Sequence, residues 1–317
     1  MKLTKLALLP LCLMSVFLAG CGDDDTKHVT DTRPMTERAV TIETLRGPVT
    51  IPDTPRKMAV FDMGTLDTLT SLGVTVAGVP DNVYIPSLKE AASKAEKVGT
   101  LFEPNLETLY HMKPDLVVLS MRTSPKYEDV ARIAPVIDMS NDTEDQIAEG
   151  LTRLKEFGKL MGKEKEARAL HDELSDLIAE TKAASEGAGT GLVIMVSGGK
   201  LSAFSAHSRF GWIYQYLGFK QVTDDMKRAP HGQPISFEFI QKTNPDWLFV
   251  IDRGASIGEE GKSAKSVLDN AIVRDTKAWS KDQVVYLSLE SYIAPGGIRQ
   301  IRHDLTLIRD ALKAAKE

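Results

Sequence analysis

The stretch that decides the fold is Lys163–Glu186, KEKEARALHDELSDLIAETKAASE, a run without glycine or proline that closes at Gly187. Ala167, Leu170, Leu174, Leu177 and Thr181 recur at steps of three and four, the spacing of one helical face. Glu164 stands four residues before Arg168, which predicts an i,i+4 pair, and Gly187 suits the left-handed position that ends a helix. At 1.5 Å per residue such a helix reaches about 36 Å. Its apolar stripe is narrow, so one side is expected to be packed and the other wet.

On both sides of this helix, apolar runs of strand length alternate with helical patterns. Before it, a hairpin is expected over Ala39–Leu45 and Val49–Ile51, strands over Lys57–Phe61, Val74–Val79, Asp115–Ser120 and Val136–Met139, and helices over Leu66–Leu72, Leu106–Met112, Tyr127–Ile133 and Asp142–Met161. After it come strands over Leu192–Val196, Leu201–Phe204, Trp247–Ile251 and Val284–Leu289, with helices over Phe210–Leu217, Phe237–Lys242 and Ile298–Ala315. Alternation of this kind predicts an α/β protein of two Rossmann-like lobes joined by one long helix. The lobes are placed at 38–162 and 187–317, with the joining helix at 163–186.

The two lobes share a pattern. N-L-E-T-L-Y-H-M-K-P-D-L-V-V-L-S-M-R runs from Asn105 to Arg122, and S-F-E-F-I-Q-K-T-N-P-D-W-L-F-V-I-D-R from Ser236 to Arg253. Glu107 falls on Glu238, Pro114-Asp115 on Pro245-Asp246 and Arg122 on Arg253, all at the offset 253 − 122 = 131 without a gap. Each lobe thus carries a helix that stops at Pro-Asp, followed by a buried strand that delivers an arginine at its carboxyl end.

A chain of 317 residues is long for one core and comfortable for two. A formal charge of −5 leaves no basic excess for a nucleic-acid partner. The amino terminus reads as an address. Lys2 and Lys5 precede the apolar Leu6–Leu18, and Leu18-Ala19-Gly20-Cys21 has the form of a bacterial lipobox. Residues 1–20 are therefore expected to be a signal peptide, Cys21 the lipidated first residue, and 21–37 a solvated tether. Cys12 leaves with the signal, so the mature chain has no disulfide.

In open α/β sheets, ligands bind outside the carboxyl ends of the strands. The repeat puts Arg122 and Arg253 there, and Arg209, after the Leu201–Phe204 strand, is expected on the same side. Three guanidinium groups at one cleft suit a ligand of several negative charges. His231, in a loop rich in proline and glycine, and Tyr292, before Pro295-Gly296-Gly297, can reach the mouth of that cleft. An imidazole and a phenolate are competent ligands for ferric iron. The remaining histidines form no cluster of metal-ligand spacing, and no G-x-S-x-G, P-loop, H-E-x-x-H or dinucleotide fingerprint is present.

On these motifs the sequence resembles the lipoproteins that bind ferric siderophores for ABC importers, the helical-backbone (class III) substrate-binding proteins, and within them the branch that takes enterobactin-type and bis-catecholate ligands. The resemblance covers nearly the whole mature chain. It implies that Arg122, Arg209 and Arg253 contact catecholate oxygens, that His231 and Tyr292 complete the iron shell of a tetradentate ligand, and that Glu107 and Glu238 dock on an inner-membrane permease. It further implies a monomer in the periplasm or cell envelope, anchored by lipid at Cys21. No permanently bound cofactor is implied, the ligand being an Fe(III)-catecholate siderophore. The charges agree: ferric iron with three dianionic catecholates carries three net negative charges, which three arginines offset. With two catecholates it carries one and leaves coordination positions open for His231 and Tyr292. The alternatives are a haem or other metal-chelate carrier of the same fold, because Tyr and His also ligate haem, and an exported siderophore-modifying enzyme.

Overall fold

The helix read from Lys163–Glu186 runs from Glu164 to Ser185 in the computed structural model, which describes residues 39–140, 144–227, 229, 231–259 and 261–316. The expected signal peptide, the lipidated Cys21 and the tether lie outside the described residues. The helix buries Ala167, Leu174, Leu177, Thr181, Ala184 and Ser185, and Gly187 takes φ +77° just beyond its end. The opposite face is wet, as the narrow stripe predicts. The expected Glu164–Arg168 pair does not form; Lys163 Nζ instead reaches Glu166 at 3.0 Å.

Before this helix, a short antiparallel hairpin of β1 (Val40–Ile42) and β2 (Val49–Ile51) precedes a five-stranded sheet. Its strands are β3 (Met58–Val60), β4 (Gly78–Val79), β5 (Glu96–Lys97), β6 (Leu116–Leu119) and β7 (Val136–Asp138), in the order β5-β4-β3-β6-β7, all parallel. All four β6 residues are buried, as a parallel strand covered on both faces requires. After the helix come β8 (Thr190–Ser197), β9 (Lys200–Phe204), β10 (Lys220–Gln221), β11 (Gln233–Ile235), β12 (Trp247–Asp252) and β13 (Val284–Tyr286). They form a sheet of order β11-β9-β8-β12-β13, with β10 beside the start of β8.

Several boundaries differ from expectation. The strand expected over Val74–Val79 shrinks to Gly78–Val79, because the Val74 amide is taken by the Leu69 carbonyl in closing the preceding helix. The helix expected over Phe210–Leu217 shrinks to Trp212–Gln215, because Ser205–Gly211 is a chain of tight turns in which Ser208 N bonds Ser205 O and Gly211 N bonds Ser208 O. Tyr292, expected in a loop, lies on the one-turn helix Glu290–Ile293 and is buried.

The repeat extends to the caps. The helices Leu106–Met112 and Phe237–Thr243 start at Asn105 and Ser236, each accepting from the third amide of its helix. They end at Lys113 and Asn244, both left-handed with φ of 52° and 44°. Asp115 then accepts from the amides of Arg56 and Lys57, and Asp246 from the amide and hydroxyl of Thr190. Each Pro-Asp therefore ties the amino end of its strand to the amino end of β3 or β8. A left-handed lysine is strained where asparagine is tolerated. Lys113→Gly is accordingly expected to stabilise the protein by about 0.5–1 kcal/mol and Asn244→Gly by less, read from denaturant midpoints; a loss of stability in Lys113→Gly would contradict the strain.

The terminal helix Ile298–Ala314 packs along the long helix and also against the first-half helix Met63–Ser71. Glu173 and Glu180 on the long helix pair with Arg302, Arg309 and Lys313 on the terminal one. At its amino end, Asp67 of the Met63–Ser71 helix accepts from the amides of Arg299 and Gln300 at 2.9 and 3.2 Å. Beside it the buried Arg153 donates to the Pro295 carbonyl and to Glu149. A second buried carboxylate, Asp304, accepts from Ser288 N, Ser291 Oγ and Gln300 Nε2, which fastens the short helix that carries Tyr292.

Candidate functional site

Tyr292 is the centre on which the three predicted arginines converge. The guanidinium carbons of Arg122, Arg209 and Arg253 lie 5.6, 5.3 and 5.6 Å from the centroid of its ring. Arg253 Nε donates to the phenol oxygen at 3.1 Å, and Arg209 Nη2 donates to the Tyr292 carbonyl at 2.8 Å. Arg122 comes from the first half, from the turn after β6 that the Thr123 hydroxyl and amide close against Ser120. Arg253 opens the helix Arg253–Ile257 at the carboxyl end of β12, where Asp252 caps that helix through the Ala255 amide.

Arg209 arrives by a route that the strand-end argument does not provide. β9 pairs antiparallel with β8, so its carboxyl end points away from that of β12. The tight turns of Ser205–Gly211, with Ser208 Oγ donating to Ser205 O, deliver the side chain instead.

The cations around the Tyr292 phenol act against its burial. Burial alone would raise the Tyr292 phenol, but the Arg253 hydrogen bond and the charges of Arg122 and Arg253 outweigh it and hold the group below its usual range. Burial first, and then the neighbouring Arg122 charge, push Arg209 down to about 10, so it stays protonated at neutral pH. Arg209 Nε is buried without a partner among the described residues. An anion that reached Arg209 would meet a guanidinium already desolvated and only partly satisfied.

His231 is not part of the cluster. It stands exposed in the turn before β11, the edge strand of the second sheet, and makes none of the contacts that join the arginines and Tyr292. Glu107 and Glu238 are both exposed in the first turn of their repeated helices, and a hydrogen bond from Ser236 holds the Glu238 carboxyl below the usual range. The Glu107 side is also apolar: Phe102 and Tyr110 are each 64% exposed and Leu106 39%. Sequence reasoning missed Ser197 at the end of β8, whose hydroxyl accepts from Arg253 Nη1 at 3.2 Å, and Glu259, which pairs with the same nitrogen. No spacing announces either one. Among the described residues no group of three or more His, Cys, Asp or Glu is placed to hold a metal ion.

Residues 58–289 match the family described as periplasmic binding protein. The chain belongs to that family. The petrobactin-binding protein YclQ of Bacillus subtilis is 35% identical over 320 residues, covering 98% of this chain and 99% of YclQ. Its crystal structure covers 87% of this chain and 99% of its own with a TM-score of 0.81. The ferric-anguibactin-binding protein FatB of Vibrio anguillarum is 29% identical over 94% of each chain. The periplasmic catecholate-siderophore binding protein VctP of Vibrio cholerae superposes with a TM-score of 0.79 at 29% identity, over 86% of this chain and 99% of its own. Two α/β halves joined by a long helix are thus the class III form of the periplasmic binding protein fold, and like these relatives the chain is a binding protein and not an enzyme. Among its described residues no helix is long and apolar enough to cross a membrane.

Proposed function

We propose that this periplasmic binding protein captures ferric catecholate siderophores, of the enterobactin or tetradentate bis-catecholate type, and delivers them to an ABC permease in the inner membrane. The observation that carries the reading is the convergence of Arg122, Arg209 and Arg253 on Tyr292, with one carboxylate, Glu259, paired to any of them among the described residues. The relatives named for petrobactin, anguibactin and catecholate siderophores support the same ligand class. The iron is cargo, and its shell comes mainly from the chelator. Tyr292 is the side chain best prepared to add to that shell, since its phenol is already held low. His231 would add an imidazole to the shell of a ligand that leaves coordination positions open. Glu107 and Glu238 would meet cationic groups of the permease, with the apolar Phe102, Leu106 and Tyr110 adding contact on one side only. Lipidation at Cys21 would hold the protein at the membrane.

Tryptophan fluorescence quenching across ferric enterobactin, a ferric bis-catecholate, a ferric hydroxamate, cobalamin and haem tests the ligand class. A Soret band on haem titration, with no response to catecholates, would transfer the protein to the haem carriers. With a bis-catecholate, Tyr292→Phe is expected to shift the ligand-to-metal charge-transfer band and His231→Ala to shift it further. A band and affinity unchanged in both variants would rule out direct coordination.

A further inference from the structure

Among the described residues, Arg253 is the one arginine of the three that holds a carboxylate. Its Nη1 lies 3.4 and 3.5 Å from the two oxygens of Glu259, whose side chain is about half exposed. An exposed pair at this distance contributes little and breaks readily. The backbone beneath it is fixed by contrast: Glu259 N bonds the Gly254 carbonyl at 2.9 Å. Gly258, at φ +70°, lies so close to the Tyr84 ring of the first half that a Cβ there would sit 2.4 Å from Tyr84 Cε1. A firm turn thus presents a loosely held carboxylate to the arginine cluster. Beside it opens a cavity of about 410 Å³, lined in part by Gly198, Gly199, Gly254, Glu259 and Lys262. The glycines leave it room, and Lys262 supplies a second cation on its wall.

We propose that Glu259 is an internal counter-ion of the binding site. In the free protein it occupies Arg253; an arriving anionic chelate displaces it into the adjoining cavity, on the side of Lys262. Two costs then fall on the ligand. Displacement weakens every anionic ligand alike, while the repulsion that remains grows with ligand charge. Glu259 therefore holds down the affinity for the most highly charged chelates and narrows their advantage over less charged ones. The inference rests on the reading of the arginine cluster as an anionic-chelate site.

Glu259→Gln keeps the shape and removes the charge, and an exposed side chain makes the substitution safe for folding. Wild type and variant are titrated with ferric enterobactin, a ferric bis-catecholate and the neutral hydroxamate ferrichrome, at low and high salt. For Glu259→Gln, ferric enterobactin is expected to bind about 5- to 10-fold tighter and the bis-catecholate about 2-fold tighter, with the gain shrinking at high salt. Ferrichrome affinity is expected to be unchanged. Equal or weaker enterobactin binding in the variant, while wild type binds it well, would overturn the counter-ion role and leave the ligand class standing. If wild type binds neither catecholate, the ligand class fails and the counter-ion role fails with it.

Discussion

Replacing Arg253 by Met is expected to weaken binding of ferric enterobactin by about 100-fold or more, with little change in thermal stability. Arg253 engages three groups at once: Nε bonds the Tyr292 phenol, while Nη1 bonds the Ser197 hydroxyl and pairs with Glu259. It is therefore both a ligand contact and the clamp that orients Tyr292. Hydrogen bonds to charged groups are worth about 1.5–3 kcal/mol each, and two such losses exceed two decades of affinity. Arg253→Lys is expected to recover only part of the loss, because an ammonium cannot bridge the phenol and a ligand oxygen with one planar fork. The phenol should rise as well, since the Arg253 hydrogen bond is the leading influence that lowers it against burial. Fluorescence quenching gives the affinities, and ultraviolet titration of tyrosine absorbance reports the phenol. An Arg253→Met variant that binds as tightly as wild type would remove the cluster from the binding site.

Replacing Asp67 by Asn is expected to stabilise the protein at neutral pH and to flatten its stability between about pH 4 and 6. Asp67 is buried where the terminal helix meets the Met63–Ser71 helix, and burial pushes its carboxyl up to about 6 despite the Gln300 and Arg299 amides and the Arg299 charge. In the unfolded chain the group has released its proton near pH 4. Between those values the folded state holds a proton that the unfolded state has lost, so stability is full below about pH 4 and falls as the pH rises through 6. The displacement corresponds to roughly 3 kcal/mol forgone at pH 7. Asparagine keeps an acceptor for the two amides but puts an amide nitrogen where Oδ1 has no partner, so a net gain of about 1–2 kcal/mol is expected. That corresponds to roughly 2–8 °C in Tm. The buried Asp304 is raised in the same direction and should leave a residual slope in the variant. Equal or lower stability at pH 7, or an unaltered slope, would refute the assignment.

The repeat is legible in the sequence, and so is most of the scaffold. Asn105 and Ser236 cap helices, Lys113 and Asn244 end them, and Asp115 and Asp246 tie down strands, each through bonds made within a few residues or to one neighbouring strand. The long helix followed from its spacing and from the glycine that stops it. Arg122 and Arg253 were found because the repeat placed them. Arg209 was identified for a reason that fails, since the direction of β9 is a matter of pairing and not of local pattern. The helical setting of Tyr292 was likewise hidden, because a four-residue helix has too short a period to read.

The sequence by itself determined two α/β halves, the helix between them and the arginines at the ends of β6 and β12. These depend on backbone propensity, capping and burial patterns, which act over short distances along the chain. Only the tertiary structure decided that three guanidinium groups share one phenol and that Glu259 stands beside one of them. It also decided that Asp67 caps a helix more than two hundred residues away. Charge and hydrogen-bond convergence depend on separations through space, and packing of the two halves sets those separations.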